Sequence, residues 1–298
     1  MEKQTPRTTL IVGFGYIGKL IAQLATNDNH NIRTITRSAN QPRQSGIDIT
    51  VADLDQNIGK QIPITPHTDL FYTAPPQQDG TQDDRLRYFL SVLSEPPASF
   101  VYISTSGVYG DYRGAWVTEE DELKSDAPRS LQRIDAEKTL LQWHSHNQGT
   151  HLVILRSAGI YGPQRLPVDR IKRHAPLVDQ NELHAYLNLI HAEDLARICR
   201  KAITHCQSRE IYNVCDGSPT TMTHYLNHVA DQLNLSKPPI VSLEDAHKTI
   251  SPGMMKYLSE SKRLSNKKLL AALHENLSYP NYITGVKQAV EATQKAEN

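Results

Sequence analysis

The chain is poor in several things that would each direct a function. Only three cysteines occur in 298 residues, Cys199, Cys206 and Cys215. They are odd in number and lack a metal-ligand spacing, so a disulfide framework or a zinc module is not expected. Buried thiols in a reducing cytoplasm are. Net charge is absent: Lys+Arg and Asp+Glu stand at 32 each. That balance gives no global pull toward nucleic acid or an anionic membrane. No run of apolar residues approaches the 18 or so of a membrane span. The first seven residues, Met1 to Arg7, hold no apolar signal core. No internal repeat and no low-complexity segment interrupt the chain, whose length suits one large domain or two smaller ones.

What the chain does have begins at Thr8-Thr9-Leu10-Ile11-Val12-Gly13-Phe14-Gly15-Tyr16-Ile17-Gly18. A short apolar run ends in glycines spaced G-x-G-x-x-G. An apolar face at helical spacing follows in Ile17, Leu20, Ile21, Leu24 and Ala25. This reads as strand, tight turn and helix. Gly13 lets the chain turn, Gly15 lets backbone N–H groups approach a pyrophosphate, and Gly18 lets helix and strand pack closely. Phosphates would sit at the helix N-terminus.

Further strands are predicted at Asn31–Thr36, Gly46–Ala52, Asp69–Ala74, Ser99–Ser104, Leu152–Arg156 and Glu210–Val214. Helices are predicted at Asp83–Ser94, Ser130–His146, Asp194–Ile203, Met222–Leu233 and Lys262–Leu273, with a fraying tail from Lys287. Apolar strands alternating with helices predict an α/β fold whose parallel sheet is covered on both faces.

Ligands of such sheets meet the carboxyl ends of the strands. The second strand ends Thr36-Arg37-Ser38, where a dinucleotide's adenosine ribose would lie. No carboxylate stands there to bind a ribose 2′-OH. Arg37 and Ser38 suit a 2′-phosphate instead, which predicts NADP(H) over NAD(H). Asp53 and Leu54 are placed to read the adenine edge, and Thr73, Ala74 and Pro75 to line the cofactor's middle.

Later motifs strengthen the picture. They are Ile103-Ser104-Thr105-Ser106-Gly107-Val108-Tyr109-Gly110 and Arg156-Ser157-Ala158-Gly159-Ile160-Tyr161-Gly162-Pro163. Leu189 to Ala196, Ile211 to Gly217 and Ser261 to Leu270 follow. In this order they resemble the NAD-dependent epimerase/dehydratase family, the extended short-chain dehydrogenase/reductases, over nearly the whole chain. The resemblance implies a Rossmann-type doubly wound domain, set at 7–165 with strand 210–214 returning to its sheet. A smaller substrate lobe at 166–298 would often hold a nucleotide-sugar. It also implies a Ser or Thr after the fifth strand, matched by Thr105, and contact of Ser157, Ala158 and Gly159 with the nicotinamide. Family members often pair as homodimers through helices flanking the sheet.

The family's Tyr-x-x-x-Lys is not matched. Anchoring on Glu137 puts Arg129 at the Tyr position and Arg133 at the Lys position. A guanidinium does not release a proton in proteins. Arg133 could bond the nicotinamide ribose, and Arg129 could hold an anionic group or donate to a carbonyl. Tyr109 is the reserve acid, or else a packed turn residue. The short glycine spacing and the missing pair resemble an atypical branch of the family. Two readings stay open: an oxidoreductase or epimerase on a sugar-like or small carbonyl substrate, and a dinucleotide sensor without turnover. His224 and His228 at i, i+4 lack a third ligand, so no metal is expected. The basic stretch Lys262, Arg263, Lys267, Lys268 reads as a solvated helix face or an approach to an anionic ligand.

Overall fold

A computed structural model describes residues 7–28, 30–38, 46–56 and 61–297. Its frame is a seven-stranded sheet, parallel throughout. The strands are β1 (Thr8–Val12), β2 (Asn31–Thr36), β3 (Ile47–Val51), β4 (Thr68–Tyr72), β5 (Ser99–Thr105), β6 (His151–Ser157) and β7 (Glu210–Val214). Their order is β7-β6-β5-β4-β1-β2-β3, the doubly wound Rossmann arrangement. The direction of winding reverses between β1 and β4, and a crevice opens at their carboxyl ends. Register levels the ends: Val12 stands opposite Ile35 on one side and Tyr72 on the other.

The two-residue period of the strands sends alternate apolar side chains to opposite faces. Ile11, Phe71, Val101, Val153 and Leu155 pack with helices α1 (Tyr16–Asn27) and α4 (Ala192–His205). Leu10, Leu70, Tyr72, Phe100 and Ile154 pack with α2 (Asp84–Ser91) and α3 (Pro128–His146). Strand β3 is an edge strand and largely exposed. A third cluster, including Tyr161, Ile171, Leu226, Val229 and Val286, joins α5 (Met222–Gln232) to α6 (Tyr282–Glu297). Beside it, short helices at Leu243–Thr249 and Pro252–Ser259 close over Val178, Ala246 and Met255.

Two expectations need correction. The Lys262–Leu273 helix begins only at Lys267. Before it, Arg263–Leu264 pairs in parallel with Trp116–Val117. The Asn188 side chain enforces this: its Nδ2 donates to Lys262 O and its Oδ1 accepts from Leu264 N, both at 2.8 Å. Tertiary hydrogen bonds override local helix propensity here. The tail from Lys287 does not fray but continues α6, because Val286, Ala289 and Val290 are buried at i, i+3, i+4 spacing.

Candidate functional site

The glycine turn between β1 and α1 is fixed by close approach. Gly13 has φ +96°, and a Cβ there would lie 2.6 Å from Ala74 N. Thr73 clamps the same turn by donating Oγ1–H to Gly13 O at 2.6 Å. At Gly18 a Cβ would stand 2.5 Å from Gly13 O. Gly15 is different: a Cβ there meets nothing within 4 Å. Gly15 is also the N-cap of α1, with no side-chain cap on the helix. The first N–H groups of α1 therefore face open space with no side chain spent on them. Ile17 is buried, and Tyr16 donates to Pro163 O at 2.8 Å, so these two side chains hold the turn in place.

A cavity of about 270 Å³ extends from this turn, lined by Phe14, Thr36, Arg37, Ser38, Leu54, Ala74 and Pro75 among others. Arg37 is 62% exposed and 3.8 Å from Asp55, beyond hydrogen-bond reach, so its guanidinium is available to an anion. Two residues the sequence reading missed frame the rim. Arg85 donates Nε–H to Asp55 Oδ1 at 2.7 Å and Nη1–H to Pro75 O at 2.6 Å. The Arg85 hydrogen bond holds the Asp55 carboxyl below its ordinary range. These partners lie 30 positions apart in the chain, and nothing local signals them. Asp53 is a correction: it does not line the cavity, and its Oδ1 accepts from Asp55 N at 3.1 Å in a local turn.

Beyond Pro75, at Pro76, lies a larger cleft of about 620 Å³. One wall is the turn Thr105-Ser106-Gly107, the first turn of α3 and the segment Ala158-Gly159. The other wall comes from the C-terminal part of the chain: Tyr186, Asn188, Lys256 and Lys262. Thr105 lines this cleft while its Oγ1 accepts from Gly107 N at 3.2 Å. Arg129 is exposed on the first turn of α3 and has no partner among the described residues. Arg133 also lines the cleft, but its Nη1 donates to Tyr102 Oη at 2.7 Å, tethering it to the sheet. Burial pushes the Tyr102 phenol well above its usual range, so it stays neutral.

Two more expected residues are elsewhere. Tyr109, the reserve acid, is fully buried outside the cleft. Its hydroxyl donates to Asn213 Oδ1 at 2.7 Å and accepts from Arg156 Nη1 at 2.9 Å. Burial pushes its pKa up to about 12. Ser157 is buried, with its hydroxyl on Ala158 O at 3.0 Å, and only Ala158 and Gly159 reach the cleft. Arg156 and Glu137, both nearly inaccessible, form a buried ion pair at 2.8 Å, with Ser104 donating to Glu137 Oε1 at 2.5 Å. The pair fixes α3 against β5 and β6, and thereby sets where Arg129 and Arg133 stand.

Residues 84–215 match the model of the NAD dependent epimerase/dehydratase family. A dTDP-glucose 4,6-dehydratase of Streptomyces griseus is 31% identical over 130 residues, which is 41% of this chain and 39% of that enzyme. The match thus spans well under half of that relative. Protein YeeZ of Escherichia coli K12 is 24% identical over 255 residues, covering 80% of this chain and 88% of its own. A functionally unknown conserved protein from Silicibacter pomeroyi has the same fold, with TM-score 0.79 and 26% identity over 98% of this chain and 100% of that one. Ahead of Glu137, helix α3 has Arg129 and Arg133 and no tyrosine anywhere along it.

Proposed function

We propose that this protein binds NADP(H) and acts as an oxidoreductase or epimerase on a polar, sugar-like substrate, with a nucleotide-linked sugar as the leading class. In this reading residues 7–165 and strand 210–214 hold the cofactor, and residues 166–298 supply the substrate side. One observation carries it: consecutive residues line two cavities, Pro75 the one built on the glycine turn and Pro76 the one walled by the Thr105 turn and the C-terminal part. The cofactor fits the residues present. The open space at Gly15 and the unspent N–H groups of α1 suit a pyrophosphate. Arg37 and Ser38 suit a 2′-phosphate, and Ala158 and Gly159 the nicotinamide end.

A bound nicotinamide would supply or accept hydride in the cleft. The chain's own residues do the rest. Thr105 orients a substrate oxygen on the cleft wall. Arg129 binds an anionic group or polarises a carbonyl, since it has no partner of its own. Arg133, tethered to Tyr102, presents a fixed cation beside the cofactor end. The nucleotide-sugar class follows from the likeness to the dTDP-glucose 4,6-dehydratase and from the size of the cleft.

Arg129 at the place of a tyrosine favours a second reading, a dinucleotide sensor without turnover. One experiment separates the two. NADPH absorbance is followed against small carbonyl compounds, and NADP+-loaded protein is incubated with dTDP-glucose and its products read by mass spectrometry, because an epimerase returns the hydride and leaves no net absorbance change. Turnover supports the enzyme. Tight NADPH binding with no turnover across the panel and no co-purifying metabolite supports the sensor. No NADPH binding overturns both.

A further inference from the structure

Resting on the enzymatic reading above, we infer that Lys262 is the proton-transfer residue of the cleft, in the role that neither Arg129 nor Arg133 of α3 can fill. Three observations point to it. Lys262 comes from the far end of the chain, yet its Nζ donates to Gly110 O at 2.8 Å, where the turn that starts at Thr105 ends. Its side chain is 9% exposed and lies on the cleft wall. An ammonium has three N–H donors. Only one is spent on Gly110. The nearest carboxylate oxygen, Glu260 Oε2, is 3.8 Å away and too far to hydrogen-bond. Two donors of a nearly buried cation thus remain for whatever occupies the cleft. That is a costly arrangement unless a ligand oxygen meets them.

The surroundings suit the task. Burial pushes the Lys262 ammonium below the ordinary lysine range, while Glu260 and Asp111 oppose that shift. Arg129, Lys256 and Tyr186 face the same cleft. Lysines lowered in this way are suited to general acid chemistry near neutral pH. In the carbonyl-reducing direction the Nζ–H bond breaks and an O–H bond forms on the substrate oxygen as the carbon–oxygen π bond opens. The hydride on carbon is the reduced nicotinamide's contribution. Lysine is left as the neutral amine and regains its proton from water. The reverse direction returns the proton to Nζ. Thr105 then orients the substrate oxygen and Lys262 exchanges its proton, so neither Arg129 nor Tyr109 needs to release one.

The test reads the amine itself before any activity. Cofactor-free protein carrying 13C at the lysine ε-carbons is titrated by NMR, with Lys262→Met identifying the resonance. The expected result is a Lys262 midpoint below the ordinary lysine range. Lys262→Met and Lys262→Arg are then compared with wild type for NADPH affinity, melting temperature and, with NADP+ bound, turnover of dTDP-glucose read by mass spectrometry of the products. Both variants are expected to bind NADPH within about twofold of wild type and to lose turnover by about 100-fold or more. Arginine keeps the charge but not the exchangeable proton, so a purely electrostatic role would be rescued by it. A Lys262 midpoint among the ordinary lysines, or turnover retained in Lys262→Arg, overturns the assignment. Wild-type protein that does not bind NADPH overturns the function proposed above, while the titration still decides Lys262.

Discussion

Alanine at Gly15 and alanine at Gly18 should separate cofactor binding from folding. The two positions lie three residues apart on one turn, yet their surroundings are opposite. At Gly18 an added methyl would stand 2.5 Å from the Gly13 carbonyl oxygen and 3.1 Å from Ile11 Cγ2. The first contact is backbone, so helix α1 must move away from β1. Overpacking of this kind costs about 1–3 kcal/mol. At Gly15 the methyl meets no protein atom within 4 Å, and the backbone has φ −89°, where alanine is unstrained. Stability should change there by less than about 1 kcal/mol. The methyl would instead occupy space beside the free N–H groups of α1. Losing one or two charge-assisted hydrogen bonds, each worth about 1.5–3 kcal/mol, weakens binding by about 10-fold to more than 100-fold. Thermal melting and NADPH fluorescence titration measure the two effects. Gly18→Ala should melt lower. Gly15→Ala should melt as wild type and bind NADPH poorly. A Gly15→Ala protein with wild-type NADPH affinity would refute the placement of the pyrophosphate.

Other consequences follow from buried groups around the site. Glu137→Ala strands the Arg156 guanidinium without its carboxylate and should cost about 3–5 kcal/mol in chemical denaturation. Tyr109→Phe removes bonds to Asn213 and Arg156 and should cost about 1–3 kcal/mol while leaving NADPH affinity unchanged. A loss of turnover at unchanged stability in Tyr109→Phe would contradict its placement in the core. Asp216 is buried, with Oδ2 lacking a partner among the described residues, and desolvation raises its pKa to about 7. Its folded-state pKa exceeds the unfolded one, so its stabilising contribution is full in acid and is lost as pH rises from about 4 through 7. Asp216→Asn, uncharged throughout, should therefore gain melting temperature relative to wild type at pH 8 and not at pH 4; a constant difference across that range would contradict the shift.

The parts of the fold that the sequence makes legible are those set by local pattern. Apolar runs such as Leu10–Val12 and Leu152–Leu155 sit in fully covered strands and announce themselves. The glycine spacing is equally plain, because it marks a strand–turn–helix junction within six residues, with Gly18 packed on Gly13. Legibility fails where distant partners decide. Lys262 stands in a lysine-rich stretch at helical spacing, and only Asn188, 74 positions earlier, shows why it is extended and buried. Arg85 and Asp55 meet across 30 positions with no signature. Tyr109 could be read from its turn as a packed residue or as a reserve acid, and only its bonds to Asn213 and Arg156, 104 and 47 positions away, decide for the core. Helix α6 was hidden by polar composition, since only Val286, Ala289 and Val290 mark its inner face.

The account rests most heavily on NADP(H) occupying the pocket that ends at Arg37. Its most direct measurement is the dissociation constant of NADPH and of NADH for wild type and for Arg37→Ala. Wild type should prefer NADPH. Arg37 is 62% exposed, so the loss lies at the low end for a charged hydrogen bond, and Arg37→Ala should weaken NADPH by about tenfold. NADH binding should be unchanged. A wild-type preference for NADH, or equal loss of both cofactors in Arg37→Ala, would contradict the account.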